Sequence, residues 1–213
     1  MQLNKKQIIF ISALLFFSIF SLNIFSQTKK DALKLYRNGD YAEAIKVCQE
    51  EITEKPNNMD SYAVLCWSLV KNKQYSEAEL WAIKGREISS YDQRIIEILG
   101  EAKYYLGKNS EALSLFQEYI SLVPANGSRV GTAYYFMAEI YVRLGKFNHA
   151  DIAFSQAVKT EPLNDAWWTR LGYVREMTKN YKLSVLAYEK AISLNNLNTE
   201  AKRGKERVMK NIQ

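Results

Sequence analysis

Residues 134–162 read YYFMAEIYVRLGKFNHADIAFSQAVKTEP, and the architecture of the chain can be worked out from them. Tyr134, Met137, Ala138 and Tyr141 recur at steps of three, one and three, the rhythm of one helix face, until Gly145 interrupts it. After Phe147 a second rhythm, Ala150, Phe154 and Ala157, runs on to Pro162, a residue no helix interior tolerates well. The stretch therefore predicts two helices joined by a glycine turn. Small residues sit where the rods approach closest, and aromatic side chains fill the space beside them.

The same punctuation extends in both directions. Pro56, Pro124 and Pro162 are the only three prolines, at intervals of 68 and 38, and Gly39, Gly107 and Gly145 keep those intervals, each 17 ahead of its proline. A unit of 34 explains both, because 68 is twice 34 and 38 is four more than 34, the four extra being Gly127 to Val130. On that ruler small residues fall at Ala44, Ala78, Ala112, Ala150 and Ser184, and aromatics at Tyr41, Tyr75, Phe147 and Tyr181, with Asn109 the exception. A single helical hairpin cannot hide its apolar face, so successive hairpins must stack and the ends need covers.

Composition agrees with long helices and narrows the function. Of 213 residues, 47% are hydrophobic and 24% charged, while nine glycines and three prolines are too few for a linker-like or collagenous chain. The net charge of +6 is spread out and forms no block of the kind that grips nucleic acid. One histidine and two cysteines cannot furnish a zinc site or a histidine triad, so no cofactor, no metal and no enzymatic activity are expected.

The N-terminus reads as an address. Lys5 and Lys6 precede Ile8 to Phe25, which carries no charge and has Ile, Leu or Phe at 13 of its 18 positions. At about 0.3 to 0.6 kcal/mol each, those residues favour membrane entry by roughly 4 to 8 kcal/mol before the polar positions are counted. Residues 1–26 are expected to be a signal peptide ending at the small Ser26, or an N-terminal membrane anchor that stays in place. The expected location is periplasmic or secreted, or, for an uncleaved segment, the inner membrane facing the periplasm. No cysteine lies at the junction to carry a lipid.

The repeated pattern resembles the tetratricopeptide repeat (TPR) family, whose unit of about 34 residues runs W-x2-L-G-x2-Y, then A-x3-F, then P. One copy runs Tyr134, Met137, Ala138, Tyr141, Gly145, Ala150, Phe154, Ala157, Pro162, and the next Trp168, Leu171, Gly172, Tyr181, Ser184, Tyr188, Ala191. Weaker copies hold Leu99, Gly100, Ala112, Phe116 and Pro124, then Tyr62, Leu65, Ala78 and Ala82, then Ala32, Leu35, Gly39, Tyr41, Ala44 and Pro56. The expected fold is all-α: a right-handed TPR α-solenoid of five helix-turn-helix repeats at 27–58, 59–92, 93–126, 131–164 and 165–198. A capping helix follows at 199–213, with Ala201, Val208 and Ile212 turned inward.

In the resembled family a stripe on each first helix lines a concave groove that holds peptide segments of partners. Carried onto this chain, the stripes hold Trp67, then Arg94, Glu101, Tyr104 and Tyr105, then Tyr135, Glu139 and Arg143, then Tyr173. These nine residues are the predicted partner-binding set, since Tyr, Trp and Arg dominate many interfaces. Some family members hold a chaperone's acidic C-terminus in a clamp; here Lys29 and Arg94 would suit it, but Leu33 and Val64 replace its asparagines. The implied role is an exported adaptor for protein or peptide partners, in cell-envelope assembly or secretion. The alternative is a partner of a transport system with Trp67, Tyr104, Tyr105 and Tyr135 around an apolar or aromatic small molecule, which a closed cavity would favour over an open trough. A third reading pairs Glu101 with Glu139 as catalytic carboxylates. Tyr41, Tyr75, Phe147, Trp168, Tyr181 and Tyr188 are expected in the core. Cys48 and Cys66 both face neighbouring helices and are either a disulfide or two buried thiols.

Overall fold

The computed structural model describes residues 30–212. The expected export segment lies outside them, and among the described residues no helix is long and apolar enough to cross a membrane. These residues form eleven helices and no strand: α1 Ala32–Asn38, α2 Tyr41–Glu54, α3 Met59–Lys71, α4 Tyr75–Ile88, α5 Gln93–Tyr105, α6 Asn109–Leu122, α7 Val130–Arg143, α8 Phe147–Thr160, α9 Asp165–Met177, α10 Tyr181–Leu194 and α11 Thr199–Met209. They pair as five hairpins, α1/α2 to α9/α10, and α11 covers the last.

Every hairpin turns in the same way. In the first, the amide of Gly39 donates to the Tyr36 carbonyl and that of Asp40 to the Leu35 carbonyl, the paired bonds that close a helix through a left-handed residue. Gly107 and Gly145 repeat this, and in the second and fifth hairpins Lys73 (φ 63°) and Lys179 (φ 59°) take the same left-handed position. The turn belongs to the repeat, and glycine is only its least strained occupant.

The small residues at the crossing of each hairpin, Ala44, Ala78, Ala112, Ala150 and Ser184, are all fully buried. Across from them a first-helix glycine often meets a second-helix ring. A Cβ on Gly100 would stand 3.0 Å from Phe116, and one on Gly172 only 2.6 Å from Tyr188. Gly204 of α11 also lies against the Tyr188 ring, where a Cβ would again collide with it, so the cap closes tightly on this aromatic side chain. Of the aromatics expected in the core, Tyr188 is fully buried, whereas Tyr41, Tyr75, Phe147, Trp168 and Tyr181 are only half-buried, packed at the margins of the apolar layer.

One expectation is corrected, and one left open is decided between its two alternatives. Ile212 does not face the last repeat; it is 42% exposed beyond the end of α11, where only Ala201, Gly204 and Val208 turn inward. Cys48 and Cys66 are buried free thiols, and burial pushes both well above the usual thiol range, Cys48 to about 12. Buried in this way they are poor nucleophiles.

The hairpins are not stacked symmetrically. First helices pack on first helices, α1 on α3, α3 on α5, α5 on α7 and α9 on α11, while no two second helices pack together to a comparable extent. The first helices therefore form the inner layer, and the second helices splay on the outside.

Candidate partner-binding groove

The inner layer is where the predicted set falls, and its members differ sharply in what they have left to offer. Trp67 is half-buried on α3, its ring 5.9 Å from that of Tyr36 on α1. Tyr105, at the end of α5, is 43% exposed and stacks on Tyr75 at 4.4 Å. Tyr104 beside it meets the Tyr105 ring edge-on at 5.2 Å but is 9% exposed, 4.8 Å from Phe136, with the Arg143 guanidinium 3.7 Å above its ring. Arg143 also donates to the Tyr104 carbonyl at 2.8 Å, so this pair serves the α5–α7 junction.

The remaining members are drawn into contacts of the chain's own. Tyr135 stacks on Trp167 at 5.3 Å, and burial raises its phenol to about 12. Arg94 donates to Asp92 at 2.7 Å and to Asp60, one repeat earlier, at 2.6 Å. Glu139 is buried and accepts two bonds from Arg170, at 2.6 and 2.8 Å, and the same guanidinium lies 5.0 Å from the centre of the Tyr173 ring. Glu101 is buried and held by Arg129. The two carboxylates of the enzymatic reading are thus each engaged by a separate arginine.

Arg129 is the residue that sequence reasoning missed. It lies within the four-residue excess between the third and fourth repeats and adopts φ 64°, left-handed for a long side chain. Its Nη2 donates to Glu97 Oε1 at 2.6 Å and to Glu101 Oε2 at 2.8 Å, one guanidinium nitrogen bridging two carboxylates of α5 that are 1% and 5% exposed. Glu97 Oε2 and Arg129 Nε are left buried without a hydrogen bond among the described residues. The preceding loop is tied down as the Tyr119 hydroxyl donates to the Ser128 carbonyl.

Burial drives the electrostatics of this cluster. It raises both carboxyls above their usual range, Glu101 to about 7, with the neighbouring Glu97 charge pushing the same way and Arg129 and Lys71 opposing. The same cluster reaches across the groove: Arg129, Glu97 and Glu101 all act on the Tyr36 phenol of α1. Arg129 is therefore a partition in the inner layer. On its N-terminal side Trp67 packs beside Tyr36; on the other side the groove face is bridged by Arg170–Glu139 and Arg207–Glu176, and Tyr105 lies between, stacked on Tyr75 and 6.1 Å from Phe136. The one signal available beforehand was the interval of 38 in place of 34.

Residues 32–127 and 135–198 match models of the tetratricopeptide repeat. The chain belongs to the tetratricopeptide-repeat family. The break between the two matched segments brackets Arg129, so the family pattern fails where the insertion acts. Among solved structures the chain is similar to the crystal structure of MamA, at 19% identity over 78% of this chain and 95% of that one, with a TM-score of 0.68. A MamA fragment from Desulfovibrio magneticus RS-1 gives 17% identity, 79% and 93% coverage, and 0.68. YrrB, described as a TPR protein with an unusual peptide-binding site, gives 16% identity, 88% and 97% coverage, and 0.66. At these identities the likeness is one of fold. No curated protein matches the sequence. The architecture is that of a TPR-type protein-interaction scaffold, a class generally without catalysis of its own.

Proposed function

We propose that this protein is an exported adaptor whose inner face binds an extended segment of a partner protein, in assembly of the cell envelope or in secretion. The observation that carries the reading is on the first-helix layer, where Tyr105 remains 43% exposed although it is stacked on Tyr75, and where Trp67 sits half-buried beside Tyr36. Aromatic side chains held rigid on a scaffold lose little entropy on binding and contribute large contact area. Export is supported by the basic, then apolar, N-terminal segment.

The small-molecule reading finds no comparable support. A cleft of about 540 Å³ is lined by Val123, Tyr134 and Gln156, and one of about 610 Å³ by Ile192 and Met209 at the cap, so neither involves Trp67, Tyr104, Tyr105 or Tyr135.

A photo-crosslinking residue placed at Tyr105 in cells should capture a defined partner, while the same group at Gln117 on the outward-facing side of α6 should not. Equal capture from both positions would remove the groove from the reading. Fractionation and the mass of the mature N-terminus test export separately: protein retained in the cytoplasm contradicts it.

A further inference from the structure

The cleft of about 540 Å³ contains none of the predicted groove residues; it lies where the last turns of α6 and α8 meet the first turns of α7 and the loop before it. Its volume falls in the range of about 300–1,000 Å³ typical of small-molecule sites. The loop that sends Arg129 inward also supplies one wall, through Val123 and Asn126. That loop is closed on itself: the Gly127 amide donates to the Pro124 carbonyl at 2.7 Å, and a Cβ on Gly127 would stand 3.3 Å from the Val123 side chain and 3.5 Å from that of Val130. The wall is therefore set before anything binds, which lowers the entropy lost on binding.

The lining divides by chemistry. Ile120, Val123, Val130 and Tyr134, all buried or half-buried, give it an apolar interior. Asn126, Gln156 and Lys159 stand exposed at its rim, and their side chains make no hydrogen bond or ion pair among the described residues. The Thr160 hydroxyl, by contrast, already donates to the Gln156 carbonyl at 2.9 Å. Among the described residues that line the cleft there is no carboxylate. Glu161, next in the chain, lies against Gly131 instead, with one oxygen 2.9 Å from where a Cβ would stand.

An apolar interior with one unclaimed cation at its rim matches a ligand with an apolar tail and one negative charge. We propose that the cleft binds a medium-chain fatty acid, its tail against Val123, Val130 and Tyr134 and its carboxylate on Lys159. Burial of the tail supplies the affinity and the charge supplies the selectivity, since a neutral head leaves Lys159 without a partner and a cationic head repels it. The site is independent of the groove reading.

The test uses full-length Gln156→Cys in lipid nanodiscs, because the buried Cys48 and Cys66 thiols react poorly and the new thiol at the rim reports the cleft alone. Hexanoate should protect that thiol from alkylation at about threefold lower concentration than hexanol, and hexylammonium should protect least. Adding Lys159→Glu, at an exposed position that leaves the fold intact, should reverse the order of hexanoate and hexylammonium. Adding Val123→Trp should fill the cleft and remove protection by all three. Equal protection by the three, or strongest protection by hexylammonium, overturns the fatty-acid assignment. Absence of protection by any of them, or protection that survives Val123→Trp, overturns the cleft as a binding site.

Discussion

The junction between the second and third repeats and the junction between the third and fourth solve the same problem differently. At the former, four residues, Ser89 to Asp92, link α4 to α5, and opposite charges meet across it, Arg86–Glu118 with both partners about a third exposed or less and Lys103–Glu79 at 10% and 13% exposed. At the latter, seven residues link α6 to α7, and the chain sends Arg129 inward to neutralise two buried carboxylates. The regular junction is fixed by shape, through small residues at each crossing, and each of its buried charges has its own opposite partner. The irregular one cannot stand without its charge, because removing Arg129 leaves two carboxylates without solvent or partner.

Mutation separates the two cases. Arg129→Ala should cost about 3 kcal/mol in urea unfolding at neutral pH, the lower end for a buried pair because the guanidinium is itself partly exposed. Arg86→Ala should cost about 1 kcal/mol or less. Equal losses would show that the insertion is an ordinary loop. Shape should dominate elsewhere: Gly172→Ala drives a methyl into the Tyr188 ring and should lower stability by about 1–2 kcal/mol in the same measurement.

Left-handed positions probe the same difference more finely. Lys73→Gly or Lys179→Gly, at regular turns, should each raise stability by up to about 1 kcal/mol, because glycine relieves the φ strain there. Arg129→Gly relieves the same strain yet should still destabilise, since it also removes the bridge to Glu97 and Glu101. A gain in thermal midpoint for that variant would refute the partition.

The remaining test is of pH dependence. Glu101 ionises near 7 in the folded chain against about 4.3 when unfolded. Between those values the folded state binds more protons, so this group makes stability fall as pH rises from about 4.3 to about 7. Glu176 behaves oppositely: its bond from Arg207 holds its carboxyl below the usual range, so its contribution is present at neutral pH and lost in acid. Stability of the wild type relative to Glu101→Gln should therefore decline from pH 4.5 to pH 7.5. A flat difference would mean that Glu101 is not held as described.

The helices, their pairing and their turns were legible in the amino-acid order alone, because each depends on residues close in the chain. Glycine at a turn, alanine at a crossing and proline at a stop act locally, and their recurrence in each unit repeats one solution. The same order placed Trp67, Tyr104, Tyr135 and Glu139 on first helices. Which of these remain available emerged only from the packing of one repeat on the next. Tyr104 and Tyr105 are adjacent, yet one is sealed under Arg143 and the other open, and Glu101 is claimed by a residue 28 positions away. Periodicity assigns a side chain to a face, but whether that face meets solvent or an oppositely charged neighbour depends on distances between repeats, which a four-residue insertion resets without leaving a motif.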